Sequence, residues 1–492
     1  KTSLSMLDSV NDEVVIDYSA RSEDGMLCTI QCGLGKTYFM ANMFEEASAA
    51  YSTCLEVAPE YLDARSSRGS TRIILGDYRG AASDFESVID EDVDRRFQDA
   101  FTGLARVLQA KESASERGWE PMIQVAKDLI GQLEAGLRET DDPSPNVVIS
   151  NSLNRLYHVL FLYHDVKTLD TDAAWEALTS SYEHKSNAIE PWNEGFEKQK
   201  TDTTTAIFRD GFWPSGIGSQ SRTPIFIIGF VRSGSTLLER VLDSHPEIVG
   251  TGENSVFNGQ LDEIRNRIVE ISVGGDTSEL ASVIEAMADG VVDEMKSRWE
   301  MVTGNTNDGD TAEGAEKINP ARFVDKMLTN YYNVGFIHML FPNALILHVA
   351  REPMDTLLSA YKHEFPPGAL DYTSFFPSLA EMYIAYRNLI DHWDNELPGR
   401  ITHVRYEDMV NDLPTVAKGV IEKAGLEWNE SVLDFHKKKH AVNTLSTTQV
   451  RKGVYKDSIQ AWKRYEDQLQ PLAELVGSRK SFDNLKTSLP GF

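Results

Sequence analysis

Between residues 224 and 236 the chain reads Pro-Ile-Phe-Ile-Ile-Gly-Phe-Val-Arg-Ser-Gly-Ser-Thr. An apolar run this short and continuous predicts a strand buried on both faces, the kind found inside parallel sheets covered by helices. A Gly/Ser-rich turn follows, and Leu237–Leu242 has helical character. Strand, turn and helix in this order make an anion site. Free N–H groups point out of the turn, and the helix N-terminus adds partial positive charge. Gly229 and Gly234 have the spacing of a nucleotide-triphosphate loop, but Ser235 stands where such a loop carries the lysine that reaches the β- and γ-phosphates. The turn is therefore suited to a single 5′-phosphate, with Arg232 as the extra charge. A purely structural turn is the weaker reading, because buried strand, nest, hydroxyls and arginine occur together.

A second strand-to-turn unit lies downstream. Residues 343–350, Asn-Ala-Leu-Ile-Leu-His-Val-Ala, predict another buried strand, and a helix is expected to start near Pro353. Arg351 sits at the strand's end, where open α/β sheets hold ligands. Ser359 falls about two helical turns further on. Together the pair can grip a second phosphate, whereas a lone strand-end arginine is more often only a surface ion-pair partner.

The first part of the chain has a different character. From Met26 to about Ala135 the pattern is helical, and Gly35, Gly69 and Gly103 recur at a step of 34 residues, as do Ala47 with Ala81 and Tyr51 with Phe85. With Tyr38 and Pro59, these positions resemble the tetratricopeptide repeat, whose small residues let two helices approach while aromatics fill the gap. A solenoid of so few units needs a cap, and the helical stretches Val147–His164 and Asp172–Lys185 are expected to supply it. The phrase Gly33-Leu-Gly-Lys-Thr37 imitates the end of a phosphate loop, but Ile30 stands where its first glycine belongs and no strand precedes it. Breaks are expected at residues 139–146 and 211–223, giving a helical-repeat domain over 1–210 and an α/β, P-loop-like domain with a parallel sheet over 211–492.

Composition narrows the partners. The 492 residues carry 48 Lys plus Arg against 76 Asp plus Glu, a net charge of −28. That argues against non-specific binding to nucleic acid or to an anionic membrane surface. Cys28, Cys32 and Cys54 all lie near the start and are expected as small apolar fillers, with neither a zinc site nor a disulfide framework. No apolar run has the length of a membrane span. The expectation is a soluble, cytoplasmic enzyme. The chain opens on Lys1, so a segment upstream would not be visible.

At this point the residues resemble a family. Pro224–Glu239, with Arg232-Ser-Gly-Ser-Thr236, is similar to the 5′-phosphosulfate loop of sulfotransferases, and Arg351 to Ser359 is similar to their 3′-phosphate motif. Phe323-Val-Asp-Lys-Met327, residues 335–342, Arg405-Tyr-Glu-Asp408, Gln449-Val-Arg451 and Trp462-Lys-Arg-Tyr465 resemble the branch in which tetratricopeptide repeats precede the transferase domain. That branch is similar in motif order to the tyrosylprotein sulfotransferases. The resemblance implies 3′-phosphoadenosine-5′-phosphosulfate as donor and a hydroxyl or amine acceptor on a small molecule or peptide. It places Arg232, Ser233, Gly234, Ser235 and Thr236 at the 5′-phosphate, Arg351 and Ser359 at the 3′-phosphate and Tyr406 near the adenine. Arg451, Lys452 and Lys463 are candidates for a C-terminal basic clamp.

The resemblance also implies the chemistry. Glu253 follows Arg232 by 21 residues, the spacing of the base in the tyrosylprotein branch, and a carboxylate there can take the acceptor's proton. Lys326 matches a lysine near the bridging oxygen, where leaving-group charge develops. The blander readings are an exposed loop acid for Glu253 and an ion pair with Asp325 for Lys326. His363 is the rival base, His245 is expected to cap or pack, and His436-x3-His440 lacks a third ligand, so no metal is expected. Three alternatives remain open: a tyrosylprotein sulfotransferase acting on peptide tyrosines, a nucleotide kinase or NTPase, and a repeat scaffold with an inactive transferase domain. The acidic insert at 304–317 is expected as a loop near the acceptor cleft, and the repeats are expected either to bind peptide or protein or to buttress that cleft.

Overall fold

The computed structural model describes residues 23–92, 97–139, 143–209, 218–253, 256–274, 280–303, 320–365, 368–437, 457–477 and 487–489. The chain begins as helices: α1 (Glu23–Met40), α2 (Phe44–Val57), α3 (Leu62–Leu75), α4 (Tyr78–Glu91), α5 (Asp99–Lys111), α6 (Trp119–Glu139), α7 (Pro143–Leu162), α8 (Thr171–Ser186) and α9 (Phe196–Ile207). The step of 34 residues has a steric basis. A Cβ on Gly35 would lie 2.5 Å from the ring of Tyr51, and Cβ atoms on Gly69 and Gly103 would lie 2.8 and 2.4 Å from the ring of Phe85. The buried Phe85 ring thus sits between α3 and α5, against the bare backbone of two glycines.

Two expectations for this region need correction. The break at 139–146 is shorter than the charged and proline-rich stretch suggested. Helix α6 runs to Glu139 and α7 begins at Pro143. Both Pro143 and Pro145 fall in the first turn of α7, where a missing N–H costs nothing because that turn has no intrahelical acceptor for it. The cysteines are buried as expected, but Cys28 of α1 and Cys54 of α2 are also joined as a disulfide, leaving Cys32 as a buried thiol.

The second domain is built on five parallel strands: β1 (Pro224–Gly229), β2 (Ile248–Gly250), β3 (Arg322–Asp325), β4 (Leu345–Ala350) and β5 (Ile401–Arg405), in the order β2-β3-β1-β4-β5. Helices α10 (Ser235–Asp243), α11 (Val256–Gly274), α12 (Leu280–Thr303), α13 (Val334–Leu340), α14 (Pro353–Tyr361), α15 (Phe376–Glu396), α16 (Tyr406–Asn411), α17 (Leu413–Lys423) and α18 (Gln470–Val476) surround it. Every residue of β1 is buried, and alternate side chains divide between two cores, as a strand's period of two requires. Ile225 and Ile227 pack with Leu238 and Val241 of α10 and Val420 of α17. Phe226 and Ile228 belong to a core that runs through α15 into α5, α6 and α7 of the helical domain. The two domains therefore share apolar packing.

The glycines at the Phe85 ring give a direct test. Replacing Gly103 by Ala should gain up to about 1 kcal/mol of helix propensity but force a methyl into a ring contact. Overpacking of this kind costs about 1–3 kcal/mol, so we expect net destabilisation, read as a lowered urea midpoint. A stabilised Gly103→Ala protein would show that the ring moves aside freely.

Candidate active site

The loop after β1 is shaped for close approach. Arg232 and Gly234 both adopt the left-handed region, at φ 68° and 100°. A Cβ on Gly234 would stand 2.3 Å from Cδ2 of Tyr406, so only glycine lets the loop pass beneath that ring. Ser235 and Thr236 open α10 and are buried, and Gly234 is its N-cap residue. Ser233 is also buried, and its Oγ has no hydrogen-bond partner.

Arg351 ties three segments together. Its Nη1 donates to the carbonyl of Arg232 at 3.0 Å, and its Nη2 donates to the carbonyl of Ser458 at 2.7 Å. Its guanidinium lies 4.8 Å from the centre of the Tyr406 ring, a cation–π arrangement. Its Nε is buried and has no partner. Tyr406 Oη and Ser458 Oγ are 2.7 Å apart. Arg232 Nε donates to Ser359 Oγ at 3.2 Å. Arg232, Arg351, Ser359 and Tyr406 thus gather around the Gly234 turn, as does Ser458, which lies between the Gln449 and Trp462 motifs and was not singled out in the sequence.

Lys326, just past β3, is fully buried between two carboxylates. Its Nζ lies 2.9 Å from Glu253 Oε1 and 3.7 Å from Glu239 Oε2. Burial works against its ammonium, but Glu239 and Glu253 outweigh that and hold its pKa above the ordinary value. Glu253 is 56% exposed, so its carboxylate reaches both the lysine and solvent. Glu239, in α10, is buried. Its Oε1 accepts from the N–H of Gly252 at 2.8 Å, and burial pushes its carboxyl up. This residue escaped the sequence reading, although a glutamate inside the apolar face of Leu237–Leu242 was the available signal.

His363 stands apart from that pair. It lies at the end of α14, with Nε2 buried and without a partner, and burial together with the nearby Arg232 holds its pKa well below the usual histidine range. His245 packs as expected, bonded to the carbonyl of Glu427 at 2.9 Å. Lys463 is exposed and donates to Gln460 Oε1 at 2.9 Å, in its own turn. Arg451, Lys452, His440 and the insert at 304–317 lie outside the described residues. Among the described residues no group of three or more His, Cys, Asp or Glu could hold a metal ion, and no helix is long and apolar enough to cross a membrane.

A parallel sheet with a phosphate-type loop after its central strand, and basic residues beyond neighbouring strands, gives this edge of the sheet an anion-binding character. Residues 224–430 match the model of the sulfotransferase family, so this part of the chain is a sulfotransferase-family domain. An uncharacterized protein of Aquifex aeolicus is 29% identical over 323 residues, 64% of this chain. The chain spans about two-fifths of that relative's length, 41%. Among solved structures, the sulfotransferase domain of the Synechococcus olefin synthase is 18% identical, with a TM-score of 0.34 over 51% of this chain and 90% of its own. The sulfotransferase domain of the curacin biosynthetic pathway is 14% identical, with a TM-score of 0.33 over 52% of this chain and 95% of its own.

Asp325, beside Lys326, supplies a pH test. It is fully buried, accepts from Met327 N–H at 2.9 Å, and its Oδ2 has no partner. Burial pushes its carboxyl up to about 7. A carboxyl raised in the folded state takes up a proton on folding. Its stabilising contribution is present below the unfolded value near 4 and is lost as pH rises through 7. Between those pH values wild type should lose stability relative to Asp325→Asn, by at most on the order of 4 kcal/mol. Urea titrations at pH 4.5, 6 and 8 check this; parallel profiles for the two proteins would refute it.

Proposed function

We propose that the protein transfers the sulfonate of 3′-phosphoadenosine-5′-phosphosulfate to a hydroxyl, or an amine, of a small-molecule or peptide acceptor. The observation that carries this reading is the convergence, past the C-terminal ends of β1, β3 and β4, of an anion-binding turn, a buried lysine and a strand-end arginine. The orphaned Ser233 Oγ and Arg351 Nε fit an anionic ligand, since buried polar atoms are normally satisfied. Residues 232–236 hold the 5′-phosphate in this reading, Arg351 and Ser359 the 3′-phosphate, and Tyr406 the adenine side. Arg451, Lys452 and Lys463 remain candidates for the clamp. The helical part to residue 210 and the transferase part from 211 are its two units.

The donor supplies the sulfonate and an anionic leaving group. Glu253 accepts the proton of the acceptor hydroxyl as that oxygen bonds to sulfur in line with the departing oxygen. Lys326 sets its positive charge where the sulfur–oxygen bond breaks and negative charge builds. The ion pair between these two side chains shows that both reach one spot. No step calls for a metal.

Two experiments test the assignments. Adenosine 3′,5′-bisphosphate should bind tighter than the 5′-monophosphate by about 2–4 kcal/mol in isothermal titration, because removing the 3′-phosphate leaves charged donors unpaired. Equal affinities would remove Arg351 and Ser359 from the donor site. In single-turnover transfer, Glu253→Gln should lower the rate by about 10²–10⁴-fold with donor affinity nearly kept. His363→Asn, assayed alongside, should do much less, and the reverse pattern would make His363 the base.

A further inference from the structure

One carboxylate of the helical domain holds two segments that lead away from the arginine-rich site. Asp165 lies in a π-helical turn, Tyr163–Thr168, between α7 and α8, and it is buried. Turns of this kind are rare and are frequent at functional sites. Its Oδ2 is 2.5 Å from the Nζ of Lys362, which caps the C-terminus of α14. Its Oδ1 accepts from Tyr465 Oη at 2.6 Å and from Arg464 Nη1 at 3.0 Å. The same Nη1 donates to the carbonyl of Asp165 at 2.7 Å, and Arg464 Nε donates to Thr171 Oγ1 at 3.1 Å, at the start of α8. Burial works against the charge of Asp165, but Lys362, Tyr465 and Arg464 outweigh it and hold the carboxyl below its ordinary range.

Both segments lead back to the residues assigned to the 3′-phosphate. Lys362 is three residues, about one helical turn, past Ser359, which accepts from Arg232 of the loop. Arg464 and Tyr465 follow Ser458, whose carbonyl accepts from Arg351 and whose hydroxyl pairs with that of Tyr406. Between them the backbone is tied to α14, since Asp355 accepts from the N–H groups of Gln460 and Trp462. The stretch 458–465 is therefore fixed at one end by Arg351 of the transferase domain and at the other by Asp165 of the helical domain.

Cohesion between the domains does not call for this carboxylate. Trp175 of α8 already packs on Tyr361, Phe376 and Tyr465, with ring centres 5.6, 6.2 and 5.6 Å away. Buried ion pairs add little net stability over apolar packing of similar volume, because the charges must be taken out of water. What the carboxylate adds is direction. Its two oxygens bind the end of α14 and the C-terminal segment at once, so Ser359 and the link from Arg351 to Ser458 keep one spacing.

We propose that Asp165 is a positioning residue of the donor site: through Lys362 on one side and Arg464 and Tyr465 on the other, it aligns α14 and the C-terminal segment for the donor's 3′-phosphate. The proposal rests on the sulfotransferase reading above. It gives the helical domain a part in donor affinity without a residue of its own touching the donor.

The test is isothermal titration of the full chain with adenosine 3′,5′-bisphosphate and with adenosine 5′-monophosphate. Asp165→Asn should reduce the preference for the bisphosphate by about tenfold, with monophosphate affinity within about twofold of wild type. Arg464→Gln, a change at a partly exposed side chain, should reduce it by about threefold, and it decides alone if Asp165→Asn does not fold. Glu381→Gln controls for general loosening of the domains. Glu381, on α15, accepts from Trp192 Nε1 at 2.7 Å and from Gly195 N–H at 2.8 Å, and its loss should leave the preference unchanged. An unchanged preference in either folded variant, or an equal fall in Glu381→Gln, overturns the proposal. Failure of the wild-type chain to bind the bisphosphate would instead sink the sulfotransferase reading, and this proposal with it.

Discussion

The hydrogen bond from Arg351 to the carbonyl of Arg232 holds the site together. It joins the ends of two neighbouring strands, β4 and β1, and stops the Gly234 turn from relaxing. The turn is strained enough to need such a brace. Arg232 is a non-glycine residue in the left-handed region, a conformation that persists where the surroundings over-determine it. The other Nη of Arg351 grips Ser458, so the same guanidinium anchors the C-terminal segment. Asp355, on α14, adds to this by accepting from the N–H groups of Gln460 and Trp462 at 2.7 and 3.0 Å.

The cost of burying Lys326 explains the acidic residues near it. A buried, unpaired ammonium would lose its proton. Glu239 keeps it charged from within α10, and Glu253 does so from the loop after β2. These two carboxylates differ in exposure. Glu239 also accepts from the Gly252 N–H and thereby fixes the loop that carries Glu253. A buried acid that positions and an exposed acid that can exchange protons is a division of labour set by environment alone.

Much of this was legible in the residues. Pro224–Gly229 read as a doubly buried strand because no polar residue interrupts it, and its period of two appears as a split between two cores. Gly35, Gly69 and Gly103 were legible as close approaches because the same steric demand recurs at one step. The start of α7 was misread because proline usually punctuates, and only the position within the first turn distinguishes tolerance from disruption. Glu239 was marked only by its place inside the apolar face of Leu237–Leu242, and its partner Lys326 lies 87 residues further on, which only the fold brings close. The Cys28–Cys54 pairing depends on how α1 packs on α2, which spacing does not convey.

The helices of the first domain bear on the phosphate loop through the packing they share with the sheet. Leu104, Leu156 and Leu178, on α5, α7 and α8, belong to the same core as Phe226 and Ile228 of β1. Tyr182 of α8 donates to the carbonyl of Tyr361, and Lys185 donates to the carbonyl of Phe365 at 3.2 Å, so α8 holds the end of α14. That helix carries Ser359, which accepts from Arg232 of the loop. A change that loosens α8 therefore reaches the loop through α14, although the two lie far apart along the chain.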